Sequence, residues 1–184
     1  MRKEQRYTAG QQNLLARAKW KDLSVEEKDL LRWCLLPRKK YLPQSDDEGR
    51  EIALQMLDTE KYDAMFRLVE DIRAQFGELT CGWVRGDEVW DLYYSLKRKG
   101  SLLCRIGLAL DAFNLVVPLN KAERERFETE RSTFPRMEVQ WNYDMAAVRN
   151  GQKYVMFDVS DPAVFPWLFR LLSYKQKPML LTKN

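Results

Sequence analysis

The stretch Glu88–Leu119, EVWDLYYSLKRKGSLLCRIGLALDAFNLVVPL, decides the fold. It reads as three short strands in a row: VWDLYYSLK, LLCRIGLAL and AFNLVVPL. A basic turn, Lys97-Arg98-Lys99-Gly100-Ser101, separates the first two, and Leu110-Asp111 separates the second two. Side chains along a strand alternate between its two faces. Trp90, Leu92, Tyr94 and Leu96 therefore share one face, joined by Leu102, Cys104, Ile106, Leu108, Phe113, Leu115 and Val117. That face is wholly apolar and predicts a core. The other face is mixed and carries Tyr93, Leu103, Arg105, Asn114 and Val116.

Upstream of the meander, Asp58 or Thr59 caps a helix whose apolar residues are Tyr62, Met65, Phe66, Val69, Ile72 and Phe76. That spacing draws one stripe on a 3.6-residue period, and Gly77 is placed for a left-handed C-cap. Leu79–Val84 reads as an edge strand or a lead-in, followed by a Gly86-Asp87 turn. Further upstream, Ser24 and Glu27 form a capping box for a helix that Pro37 stops. Residues 37–49 read as a loop and Arg50–Leu57 as a short helix.

Downstream, Asn120 with Glu123 caps a charged helix running to about Glu130. Ser132–Asn150 reads as a loop followed by a helical turn, and Asn150-Gly151 as a turn. Lys153–Val159 is a fourth strand, with Val155, Phe157 and Val159 on one face. Asp161-Pro162 opens a C-terminal helix through Leu172, with Pro166 inside it. The expectation is an α+β fold: an antiparallel β-meander sheet packed by helices, with an N-terminal helical extension. Residues 1–57 form the extension, 58–178 the α+β domain and 179–184 a C-terminal tail.

The order of these elements is distinctive. A helix ending in Gly precedes Trp90-x-x-Tyr93-Tyr94 and Lys97-Arg98-Lys99-Gly100-Ser101-Leu102-Leu103-Cys104. Phe113-x-x-Val116-Val117-Pro118-Leu119, a Lys/Glu-rich helix and Gly151–Val159 follow. Over about residues 58–178 this resembles the bacterial family called domain of unknown function 3788. Ala112 and Ser101 depart from its pattern, where a Gly and a Lys are usual. The resemblance implies a compact α+β domain of a bacterial protein. It implies no activity and no catalytic residues.

Composition narrows the chemistry. The chain of 184 residues is 45% hydrophobic and 12% aromatic, enough for one sizeable core. The net charge of +4, from 31 basic and 27 acidic residues, is weaker than a dedicated nucleic-acid binder usually shows. Cys34, Cys81 and Cys104 are dispersed and odd in number, which reads as free thiols in a reducing compartment. The segment MRKEQRYTAGQQN lacks an apolar signal region, and no apolar run is long enough to span a membrane. A cytoplasmic protein is expected. Histidine is absent, which excludes Ser-His-Asp and Cys-His mechanisms and makes a Cys/His zinc site untenable. No metal or other cofactor is implied.

Four readings of the remaining residues compete. Tyr93, Arg105 and Asn114 on the mixed face suit a carboxylate or phosphate, with Trp83 or Trp141 as an aromatic wall. The plainer alternative is the ordinary half-polar outer face of an antiparallel sheet. Lys97, Arg98 and Lys99, near Tyr93 and Tyr94, suggest single-stranded nucleic acid. The two tyrosines face opposite sides, however, and a basic turn also blunts a sheet edge. An enzyme would need Cys104 as nucleophile, or Asp87, Glu88 and Asp91 as a metal or acid–base cluster. Cys104 lies on the core face with no histidine to activate it. Finally, Trp20, Leu30, Trp33 and Leu36 suit docking of the N-terminal helices on the domain itself, on a protein partner or in a homodimer. Non-catalytic binding of a small anionic or aromatic molecule leads, and an interaction module built on the N-terminal helices is the alternative.

Overall fold

A computed structural model describes residue 24 and residues 42–87, 89–159 and 162–179. The capping box at Ser24, the helix it opens and the basic cluster at residues 38–40 lie outside the described residues, apart from Ser24 itself. The described chain is α+β, with five α-helices against a six-stranded antiparallel sheet. The helices are α1 (Asp46–Met56), α2 (Thr59–Phe76), α3 (Lys121–Glu130), α4 (Trp141–Met145) and α5 (Phe165–Leu172). The strands are β1 (Thr80–Arg85), β2 (Leu92–Arg98), β3 (Ser101–Ala109), β4 (Ala112–Leu119), β5 (Val148–Arg149) and β6 (Gln152–Asp158), in sheet order β1-β2-β3-β4-β6-β5.

Tight turns set the register. Lys99 and Gly100, at φ 50 and 78, turn the chain between the paired residues Arg98 and Ser101. Asn150 and Gly151, at φ 50 and 77, do the same between Arg149 and Gln152. Positive φ at both central residues matches the right-handed twist of the flanking strands. The Asn-Gly turn thus adds the short strand β5 within the region where the sequence predicts a loop followed by a helical turn.

The apolar face holds the main core. Leu92, Tyr94, Leu96, Ile106, Leu115, Val117 and Phe157 pack beneath Met65, Leu68, Val69, Ile72 and Phe76 of α2 and Leu168, Leu171 and Leu172 of α5. Asp58 caps α2 by accepting from Lys61 N at 2.8 Å. Gly77 ends α2 at φ 87, ψ −160, an extended conformation open to glycine and not the left-handed turn expected. The Lys61 ammonium bridges Asp58 (3.0 Å) and Asp111 (2.8 Å), tying this helix to the β3–β4 turn.

Three residues, Leu102, Leu103 and Trp90, sit elsewhere than alternation predicts; Leu102, expected on the core face, pairs with Lys97 and lies outside the main core. Leu103 is the extra residue of a bulge, because Leu96 pairs with Cys104 and Lys97 with Leu102. The bulge turns Leu103 into the main core, away from the mixed face. Trp90 precedes β2 and crosses to the mixed face. Gly49, read as part of a loop, lies inside α1 because Trp83 packs there: a Cβ would stand 2.1 Å from the indole nitrogen. α1 starts earlier than expected because Ser45 caps it and Asp46, Asp47 and Glu48 favour its positive end.

Assigned by sequence to the extension, α1 and its C-cap place Ala53, Met56 and Leu57 in the main core. Met56 O also accepts from Asp111 N. At the other end, Met179 N donates to Gln75 O at 3.0 Å, so the chain at the expected start of the tail is held against α2. The region read as a loop and helical turn is a 3₁₀ turn (Arg131–Thr133), a π-helical turn (Arg136–Gln140) and α4. Pro166 falls in the first turn of α5, where its missing N–H costs nothing. Among the described residues no helix is long and apolar enough to cross a membrane.

Candidate functional site

Pairing across the sheet brings two rows of side chains together on the mixed face. Tyr93 pairs with Gly107, Gly107 with Asn114 and Asn114 with Asp158. In the next row Ser95 pairs with Arg105, Arg105 with Val116 and Val116 with Met156. Trp90 enters this face from the β1–β2 loop and lies over Gly107, where a Cβ would come within 2.6 Å of its ring. Trp90, Tyr93 and Val116 form a second, small core.

Asp87 builds the loop that delivers Trp90. Its backbone N–H donates to Trp90 O at 2.9 Å. Its Oδ1 accepts from Val89 N at 2.8 Å and Trp90 N at 3.1 Å. Its Oδ2 accepts from the Tyr93 hydroxyl at 2.6 Å. Burial, and then the Asp87 carboxylate, push the Tyr93 hydroxyl well above its ordinary pKa, so it stays protonated and donates. Gly86 completes the loop, since a Cβ there would meet Trp90 O at 2.1 Å.

Beside this loop lies a cleft of about 210 Å³, lined by Trp90, Tyr93, Arg105, Tyr154 and Met156 among others. Arg149 and Asn150 of the β5–β6 hairpin stand at one side of it. The Arg105 guanidinium lies 5.5 Å from the Tyr93 ring centre. Among the described residues, neither Arg105 nor Arg149 forms an ion pair, and Arg105 Nε is buried without a hydrogen-bond partner. Trp90 Nε1 and Ser95 Oγ are likewise buried and unpartnered. Buried polar groups are normally satisfied, so each such exception calls for a physical reason.

Of the residues expected here, Tyr93 and Arg105 meet in the cleft. Asn114 shares their face, in the row of Tyr93 two strands over, and does not line it. The aromatic wall is not built as expected. Trp83 pairs with Tyr94 and so sits on the core face, its ring 4.6 Å from that of Tyr94 and its Nε1 donating to Asp46 Oδ1 at 3.0 Å. Trp141 is on α4, 56% exposed and outside the lining. Trp90 and Tyr154 supply the aromatic surface instead. Parity from Val155 and Phe157 was enough to place Tyr154 and Met156 on this face. Arg149 required the pairing imposed by the Asn-Gly turn.

The other candidates disperse. Tyr93 and Tyr94 are both buried, on opposite faces, so neither stacks a base beside the Lys97-Arg98-Lys99 turn. Arg98 of that turn donates to Lys177 O at 2.6 Å. Burial raises the thiol pKa of both Cys104 and the half-buried Cys81, the reverse of what an activated nucleophile needs. Among the described residues no group of three or more Cys, Asp or Glu is placed to hold a metal. Glu88, the middle member of the acidic cluster, lies outside the described residues.

No family model matches this chain, no curated protein is similar to it, and no solved structure matches it. The functional argument therefore rests on the geometry of the cleft.

Proposed function

We propose that the mixed face of the sheet is a non-catalytic binding site for a small molecule that is anionic, with an apolar or aromatic body. The observation that carries this reading is Arg105, a half-buried guanidinium against an aromatic ring with no acid partner among the described residues. A buried cation is expensive unless it is paired, so an arginine kept this way suits an incoming oxyanion. The only carboxylate in the lining among the described residues, Asp87, is already engaged by three donors, which disfavours a cationic ligand. Trp90, Val116 and Met156 supply an apolar surface for the ligand body.

The test is a thermal-shift screen against metabolites, nucleotides and short oligonucleotides, run on the native protein and on Arg105→Met. A ligand that binds only the folded state raises the melting temperature. Small anions should stabilise the native protein and lose that effect in Arg105→Met, whose own stability should be unchanged or about 1 kcal/mol higher because an unpartnered charge is removed. Equal stabilisation of both proteins by the same anion would place its site elsewhere.

A further inference from the structure

Among the described residues two arginines line this cleft, and their positions in the sheet say how far apart their backbones are held. Arg105 pairs with Val116, and Val116 pairs with Met156. Arg149 pairs with Gln152, four residues before Met156 on the same strand. Paired residues share a face and so do residues an even number apart, so Arg149 projects from the same face as Arg105. Three strand spacings across and four residues along separate the two backbones by about 14 Å in each direction, or about 20 Å on the diagonal of a flat sheet.

Resting on the binding reading above, we infer that the ligand is an elongated dianion: one acidic group at Arg105, a second at Arg149, and an apolar body between them. The surface between the arginines is uncharged, made of Val116, Ala147, Tyr154 and Met156. A compact anion would engage Arg105 and leave Arg149 beyond reach. Among the described residues a long polyanion finds only these two cations in the lining, where further charge would be left unmatched.

The experiment is calorimetric titration with linear dicarboxylates of graded length, from succinate to sebacate, each beside the monocarboxylate of equal length. The native protein should show a length optimum, at which the diacid binds about tenfold more tightly than its monoacid, the value of one charge-assisted hydrogen bond. Arg149→Ala should abolish that advantage and leave monoacid binding intact, while Arg149→Lys should keep part of it. Thermal melting of both variants checks that they fold. Equal affinity for diacid and monoacid at every length, or no effect of Arg149→Ala, overturns the dianion and leaves the site standing. Acid binding that is indifferent to Arg105→Met, or no acid binding at all, overturns the site and the dianion together.

Discussion

The two faces of one sheet are built to opposite rules. On the covered face, helices α2 and α5 close over a continuous apolar layer, and charge that reaches this side is matched. Glu123 and Lys175, both about 10% exposed, meet at 3.0 Å, and Glu123 also accepts from the Asn120 backbone at 2.8 Å. On the mixed face only three side chains form a buried cluster among the described residues, and the cation beside it, Arg105, has no acid partner among those residues. Matched charge under a dry layer serves folding. Unmatched charge beside a cleft is a stability cost, which a bound anion would offset under the proposed reading.

Neighbours on one strand give the sharpest contrast. Leu115→Ala, on the covered face, should cost about 4 kcal/mol, because a fully buried leucine leaves a cavity among helices that cannot collapse. Val116→Ala, its neighbour on the mixed face, should cost about 1.5 kcal/mol, since the cleft beside it is already open. Chemical denaturation of both variants measures this; equal losses would mean the mixed face is as tightly packed as the core.

Lys175→Met tests the matched charge. It strands the Glu123 carboxylate in a buried setting and should cost about 3 kcal/mol by urea melting. A neutral result would show that Glu123 is satisfied by the backbone alone. Next in size, Gly107→Ala should displace Trp90 from its seat over the strand, costing about 2 kcal/mol and red-shifting tryptophan emission as the indole meets water. Unchanged emission would mean that the ring gives way without leaving.

The smallest effect is a pH dependence on the covered side. Glu130 accepts from Arg170 (2.7 Å), Tyr174 (2.8 Å) and Arg126 (3.0 Å), and the Arg170 contact leads in lowering its pKa from 4.5 to about 2. A carboxylate lowered by folding stabilises the native state fully above its unfolded pKa and loses that contribution as pH falls through the folded one. Glu130→Gln should therefore flatten the decline in melting temperature between about pH 4.5 and pH 2. Partial exposure keeps the difference small. Parallel curves for the two proteins would remove Glu130 from the acid response.

What was legible in the sequence follows from locality. The hairpins showed because Lys99-Gly100 and Asn150-Gly151 carry their turn geometry in their own residues, and the helices at Thr59 and Lys121 showed because Asp58 and Asn120 cap from one turn away. Tyr93 and Arg105 were placed together by alternation alone. Three of the errors involve distant approach. Gly49 looks like a helix breaker until Trp83 is packed against it, Trp90 looks like core until Gly107 opens a seat on the other face, and Leu103 looks polar-side until a bulge turns it. Arg149 was missed because its face depends on a pairing that only the folded hairpin defines.

One feature of the topology bears on the order of assembly. β1 to β4 zip up by successive hairpins, but β6 reaches β4 only after the excursion of residues 120–151 returns to the sheet. Closing that long loop must precede the reward of pairing, so β6 is the natural latecomer in folding. The β5–β6 hairpin brings Arg149, Tyr154 and Met156 with it. Half of the cleft is thus missing from any intermediate that has only the meander, and a molecule bound there would act as a late latch, slowing the release of the last strands to join.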